Sequence, residues 1–108
     1  MKHEVTSKGD QVIIALKGEV DLESSPMARE LLLNNVTGGK SLLVDLSAVT
    51  YIDSSGVASL VEALQASRET GSRFALAAAS EPARRVLELA RLDKVFTMYD
   101  SSDDGLTA

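Results

Sequence analysis

The chain has 108 residues, 44% of them apolar, which suffices for one core and is expected to form a single domain over residues 1–108. The absence of cysteine excludes disulfides, thiolate metal sites and cysteine nucleophiles, and fits a reducing compartment. A net charge of -5 argues against direct nucleic-acid binding, because Arg84, Arg85, Arg91 and Lys94 are interspersed with Glu81, Glu88 and Asp93 instead of forming a stripe.

Met1 to Thr6 lacks the apolar run of a signal peptide, and no later stretch approaches the ~20 apolar residues that span a bilayer. The expectation is a cytoplasmic protein without membrane insertion. Weak alternation from His3 to Ser7, a turn at Lys8-Gly9-Asp10 and the β-branched run Val12 to Leu16, closed by Gly18, predict an N-terminal hairpin. Ser24-Ser25-Pro26 opens a helix, with a serine to cap it and proline at the first helical position; Ala28, Leu31, Leu32 and Leu33 form its apolar face and Gly38-Gly39 ends it.

Leu42-Leu43-Val44 does not alternate, as expected of a central strand covered on both faces. From Gly56 the period changes: Val57, Leu60, Val61 and Leu64 share one side of a helix, while Ser59, Glu62, Gln65 and Glu69 take the other. Gly71 suits the left-handed position that stops that helix. Phe74 to Ala78 predicts another strand, and Ser80-Glu81-Pro82 repeats the cap-then-proline signal before Ala83, Val86, Leu87 and Ala90. Val95 to Tyr99 is a last short strand, followed by the polar tail Asp100 to Gly105, which is expected either to begin a very short helix or to fray, and in which Asp103-Asp104 reads as a solvated charge pair. Strands and helices thus alternate after the hairpin. The fold class is α/β, a mixed central sheet with helices packed on it.

In such sheets, sites gather where strands end and helices begin. Here that point is Asp53-Ser54-Ser55-Gly56. Taken alone, a Ser-Ser-Gly at a helix start is most simply a cap. One serine suffices for that, however, and Gly56 leaves the backbone uncovered, so that a partner can approach the second hydroxyl. Serine catalysis needs a base, and the sole histidine, His3, is expected on a mobile terminus; no Gly-x-Ser-x-Gly elbow surrounds either serine. No phosphate loop, dinucleotide fingerprint or metal-ligand spacing is present either. No catalytic residue, metal or cofactor is therefore expected, and the chain is not expected to be an enzyme.

These motifs resemble the STAS domains, and within them the single-domain anti-sigma-factor antagonists, over nearly the whole chain. The resemblance is carried by Gly18-Glu19-Val20-Asp21, by Val44-Asp45-Leu46-Ser47 with Ile52-Asp53-Ser54-Ser55-Gly56, and by Arg84-Arg85-Val86-Leu87-Glu88 with Leu92-Asp93-Lys94-Val95-Phe96. Many antagonists continue the central motif with Leu-Gly, where Val57-Ala58 stands here. The resemblance implies that Ser54 is phosphorylated by a cognate anti-sigma factor that is a serine kinase using ATP. The unmodified form would bind that kinase and free the sigma factor, and a metal-dependent serine/threonine phosphatase would reset the switch. Docking would use Asp21, Asp53, Ser54, Ser55, Gly56, Ala58, Ser59 and Glu62, with Gln65 on the same exposed helix face. Two alternatives belong to other classes: a STAS subunit bound to the permease of an ABC-type lipid transporter, and a nucleotide-binding module using the helix start at Ser54, Ser55 and Gly56 as an anion site.

Overall fold

The computed structural model describes residues 1–36 and 40–107. β1 (Lys2–Lys8) and β2 (Gln11–Val20) form the expected antiparallel hairpin, turning at Gly9 with φ 60°. Then follow α1 (Ser25–Asn34), β3 (Ser41–Ile52), α2 (Ser54–Thr70), β4 (Arg73–Ala77), α3 (Glu81–Leu89), β5 (Met98–Tyr99) and α4 (Ser102–Thr107). The sheet order is β1-β2-β3-β4-β5, and every pair after the hairpin is parallel. The predicted α/β class and the central place of Leu42-Leu43-Val44 are both realised. The expected stop of α1 at Gly38-Gly39 lies outside the described residues.

Alternation sorts the strand residues by face. Val12, Ile14 and Leu16 of β2, Leu42, Val44 and Leu46 of β3, and Phe74 and Leu76 of β4 pack with Ala28 and Leu32 of α1, Leu60 and Ala63 of α2, and Ala83 and Leu87 of α3 in one core. On the other face Leu43 lies beneath α4, where Gly105 packs so closely that an added Cβ would come within 2.8 Å of the Leu43 methyls. Gln11 Nε2 donates to the Leu106 carbonyl at 3.1 Å and Ser102 Oγ to Asp45 Oδ2 at 2.8 Å, tying α4 down. β3 is thus covered on both sides, which is why its start shows no alternation.

Two details of the strands position the site. The β2–β3 register shifts between Ala15 and Lys17 and again between Gly18 and Glu19, with Gly18 at φ 85°, as at a bulge. After the shifts Val20 pairs with Ile52, so the residues that follow, Asp21 and Asp53, leave the sheet side by side.

The helix ends show what the sequence signals meant. Gly71 is left-handed at φ 70° and stops α2, and Ser80 Oγ caps α3 by accepting the Ala83 amide at 3.3 Å, both as expected. Ala90 is exposed, because α3 ends at Leu89 and Ala90 is already its cap. The last strand is shorter than predicted: Val95 and Phe96 donate back to the Leu92 carbonyl in a turn, which swings Phe96 against Phe74 with ring centroids 6.2 Å apart. Arg91 is left-handed at φ 60° just past α3, where Leu92 N–H closes on the Leu87 carbonyl at 2.8 Å. That position favours glycine. Arg91→Gly is expected to stabilise the chain by about 0.5–1 kcal/mol in urea unfolding, the relieved Cβ strain exceeding the added chain entropy.

Candidate functional site

The site lies where β2 and β3 end. Asp21 organises the turn into α1: its Oδ1 accepts the Glu23 and Ser24 amides, each at 3.1 Å. Ser24 Oγ accepts the Asp21 amide at 2.9 Å and lies 3.1 Å from both Asp21 Oδ1 and the Glu19 carbonyl, either of which takes its proton. Ser24 therefore makes no side-chain cap for α1, contrary to expectation. Its backbone is already helical, at φ -91° and ψ -19°, where a capping residue is extended, and its Oγ accepts the Asp21 amide in place of a helix amide.

The same correction applies at α2. Its cap is neither serine but Asp53, in extended conformation, whose Oδ1 accepts the Ser55 amide at 3.0 Å, the Gly56 amide at 3.2 Å and the Ser55 hydroxyl at 2.5 Å. The two serines are thereby made chemically different. Ser55 is half-buried with its proton committed to Asp53, whereas Ser54, the first helical residue, is exposed and its hydroxyl has no hydrogen bond among the described residues.

Both aspartates are held below the ordinary carboxylate range. For Asp53 the cause is the Ser55 hydroxyl bond, acting against partial desolvation and helped by the Gly56, Ser55 and Leu22 amides. For Asp21 it is the Ser24 amide and then the Ser24 hydroxyl, while the charge of Asp53 pushes the opposite way, as expected of neighbouring carboxylates. A lowered folded pKa stabilises the fold fully above the unfolded value of about 3.9 and loses that contribution as pH falls through the folded value. Asp53→Asn keeps a capping oxygen but removes the titration. Its urea midpoint is expected to sit below wild type at pH 7 and to fall less steeply from pH 4 downward.

Two residues assigned to an exposed docking face are buried. Gly56 is covered: a Cβ there would meet the Val20 carbonyl oxygen at 2.7 Å and Ile52 Cγ1 at 2.8 Å, so the glycine serves close packing of α2 on the strand ends and does not open the backbone to a partner. Ser59 is 4% exposed, and its Oγ lies 3.2 Å from both the Ser25 and Ser55 carbonyls, joining α2 to α1. Ala58, Glu62 and Gln65 are exposed as expected. The Glu62 carboxylate is paired with Arg29 of α1, and both line a groove of about 610 Å³ between the two helices.

Sequence reading missed Leu22, which projects from the Asp21 turn. The available signal was an apolar residue set between acidic ones, with no helical or strand period to bury it. Among the described residues no group of three or more His, Cys, Asp or Glu side chains can hold a metal, and no helix is long and apolar enough to cross a membrane.

Residues 2–105 match the family model of the STAS domain. The chain belongs to the STAS-domain family, and within it to the anti-sigma-factor antagonists. The anti-sigma-B factor antagonist of Listeria monocytogenes is 31% identical over 80% of this chain and 76% of its own. That of Bacillus subtilis is 25% identical over 95% and 94%. The crystal structure of an anti-sigma factor antagonist from Mycobacterium paratuberculosis superposes with a TM-score of 0.85 at 30% identity, covering 98% of this chain and 91% of that one.

Proposed function

We propose that this chain is a phosphorylation-controlled antagonist whose unmodified form docks on a cognate anti-sigma serine kinase through the Asp21 turn and the start of α2, releasing the sigma factor. Phosphorylation of Ser54 ends the docking, and a metal-dependent serine/threonine phosphatase restores it. The observation that carries this reading is the exposed Ser54 hydroxyl, unbonded among the described residues, beside two ionised carboxylates. In the transfer, Ser54 Oγ forms a bond to the γ-phosphorus of ATP, the bond from that phosphorus to the β,γ-bridging oxygen breaks, ADP leaves and the hydroxyl proton passes to a base of the kinase. The reverse step is hydrolysis: water attacks the phosphorus, phosphate leaves and the Ser54 hydroxyl is regenerated. The chain supplies the substrate hydroxyl, and the partner supplies the chemistry.

The anion-module reading has few donors left to it, since Asp53 already takes the Ser55 and Gly56 amides and its carbonyl takes that of Val57. The three relatives are antagonists, which favours this reading over the transporter subunit. The test is capture from the source cells on Ser54→Ala and Ser54→Asp baits, with mass spectrometry. A serine kinase held by the alanine bait and lost from the aspartate bait is expected. An ABC permease and its ATPase on both baits would transfer the chain to transport.

A further inference from the structure

Two large apolar side chains at or near the Asp21 turn play no part in the core. Leu22, in the turn after β2, is 74% exposed, and Met27, in the first turns of α1, is 56% exposed. A single exposed leucine is ordinary, but this one is held in place. Asp21 on one side binds the Glu23 and Ser24 amides on the other, and the Leu22 amide itself faces the Asp53 carboxylate. The Ser25 amide closes the turn on the Asp21 carbonyl at 2.8 Å. A locked turn leaves little backbone freedom to lose on binding, so that only the leucine's own rotamers remain to be ordered.

The surroundings of Leu22 define what can cover it. Asp21 and Glu23 flank it, Asp53 faces its amide, and Glu19 shares a shallow groove with Asp21, Glu23 and Met27. A purely apolar partner would bury Asp21 and Asp53 without counter-charges, at a large desolvation cost. A purely basic one would leave Leu22 in water. We infer that Leu22, with Met27 in the groove that Asp21 and Glu23 line, is the apolar anchor of docking, and that the anti-sigma factor meets it with an apolar pocket rimmed by arginine or lysine. This rests on the reading that the Ser54 face docks an anti-sigma factor, and it adds the residue that holds the complex and the chemistry of the surface opposite.

The test is calorimetric titration of the purified anti-sigma kinase with wild type, Leu22→Ala, Leu22→Lys, Ser54→Asp and, as a control, Leu89→Ala, which removes an equally exposed leucine on α3. Because Leu22 is outside the core, its variants are expected to melt with wild type. Leu22→Ala is expected to weaken binding about 10- to 100-fold and Leu22→Lys further, with Leu89→Ala unchanged. The wild-type association rate is expected to fall steeply as salt is raised. Wild-type affinity in Leu22→Ala, with binding lost in Ser54→Asp, would overturn the anchor and leave the switch standing. No binding by wild type would overturn both.

Discussion

Phosphorylated Ser54 is expected to bind the anti-sigma factor roughly a hundredfold more weakly than the unmodified chain, a penalty of the size that like charges facing a docked surface produce. The melting temperature is expected to stay close to that of the unmodified form. Phosphate at a helix start is ordinarily favoured, because free amides and the helix dipole attract an anion. Here Asp53 already occupies the Ser55 and Gly56 amides. The new group, with about -1.5 to -2 charges, gains few donors and stands beside Asp53 and Asp21. The Ser54 hydroxyl has no hydrogen bond to lose among the described residues, so the fold remains as it was. The effect is local: docking geometry and charge change, while the core does not. Calorimetry on the two purified forms, with differential scanning alongside, checks both halves.

The second large effect is structural. Gly56→Ala is expected to destabilise the chain by about 2–3 kcal/mol, as overpacking of a well-filled site does. The new methyl would sit 2.7 Å from the Val20 carbonyl oxygen, a backbone atom that cannot rotate away, and 2.8 Å from Ile52 Cγ1. Relief requires the start of α2 to lift off the strand ends, and Ser54 and Asp53 lift with it. Partner binding is therefore expected to weaken together with the urea midpoint. Gly105→Ala is the contrast: its methyl would meet the Leu43 side-chain tips at 2.8 Å, which can rotate, so the loss there is expected to be smaller.

The parts of the fold that sequence reading recovered are those where one residue type admits one physical role. Gly71 stops α2 because a left-handed residue is needed there, and Leu42-Leu43-Val44 is unbroken by polar residues because both faces are covered. The misreadings arose where a polar residue had several partners within reach. Ser24, Ser54 and Ser55 all fit a capping pattern, yet Asp21 and Asp53 took the amides, and a hydroxyl beside a carboxylate donates to it. Ser59 fits the polar face of α2 by period, but a small hydroxyl can be buried when carbonyls such as those of Ser25 and Ser55 satisfy it. Gly56 illustrates a different limit: an uncovered glycine and one pressed against a strand look alike until the register of Val20 and Ile52 is known. The site itself was visible as Asp53-Ser54-Ser55-Gly56 with Asp21. The neighbourhood of the two aspartates depends on bulges in the β2–β3 pairing that no local pattern announced.

The most direct test of the switch is phosphotransfer followed by rebinding. The purified chain is incubated with the purified anti-sigma kinase and ATP, the modified residue is mapped by peptide mass spectrometry, and the isolated phosphoprotein is titrated back against the kinase. The switch requires one phosphoryl group, on Ser54, absent from Ser54→Ala and still present in Ser55→Ala, and a product that no longer docks. Phosphate on Ser55 or elsewhere, or a Ser54 phosphoprotein that binds as tightly as the unmodified chain, would contradict it.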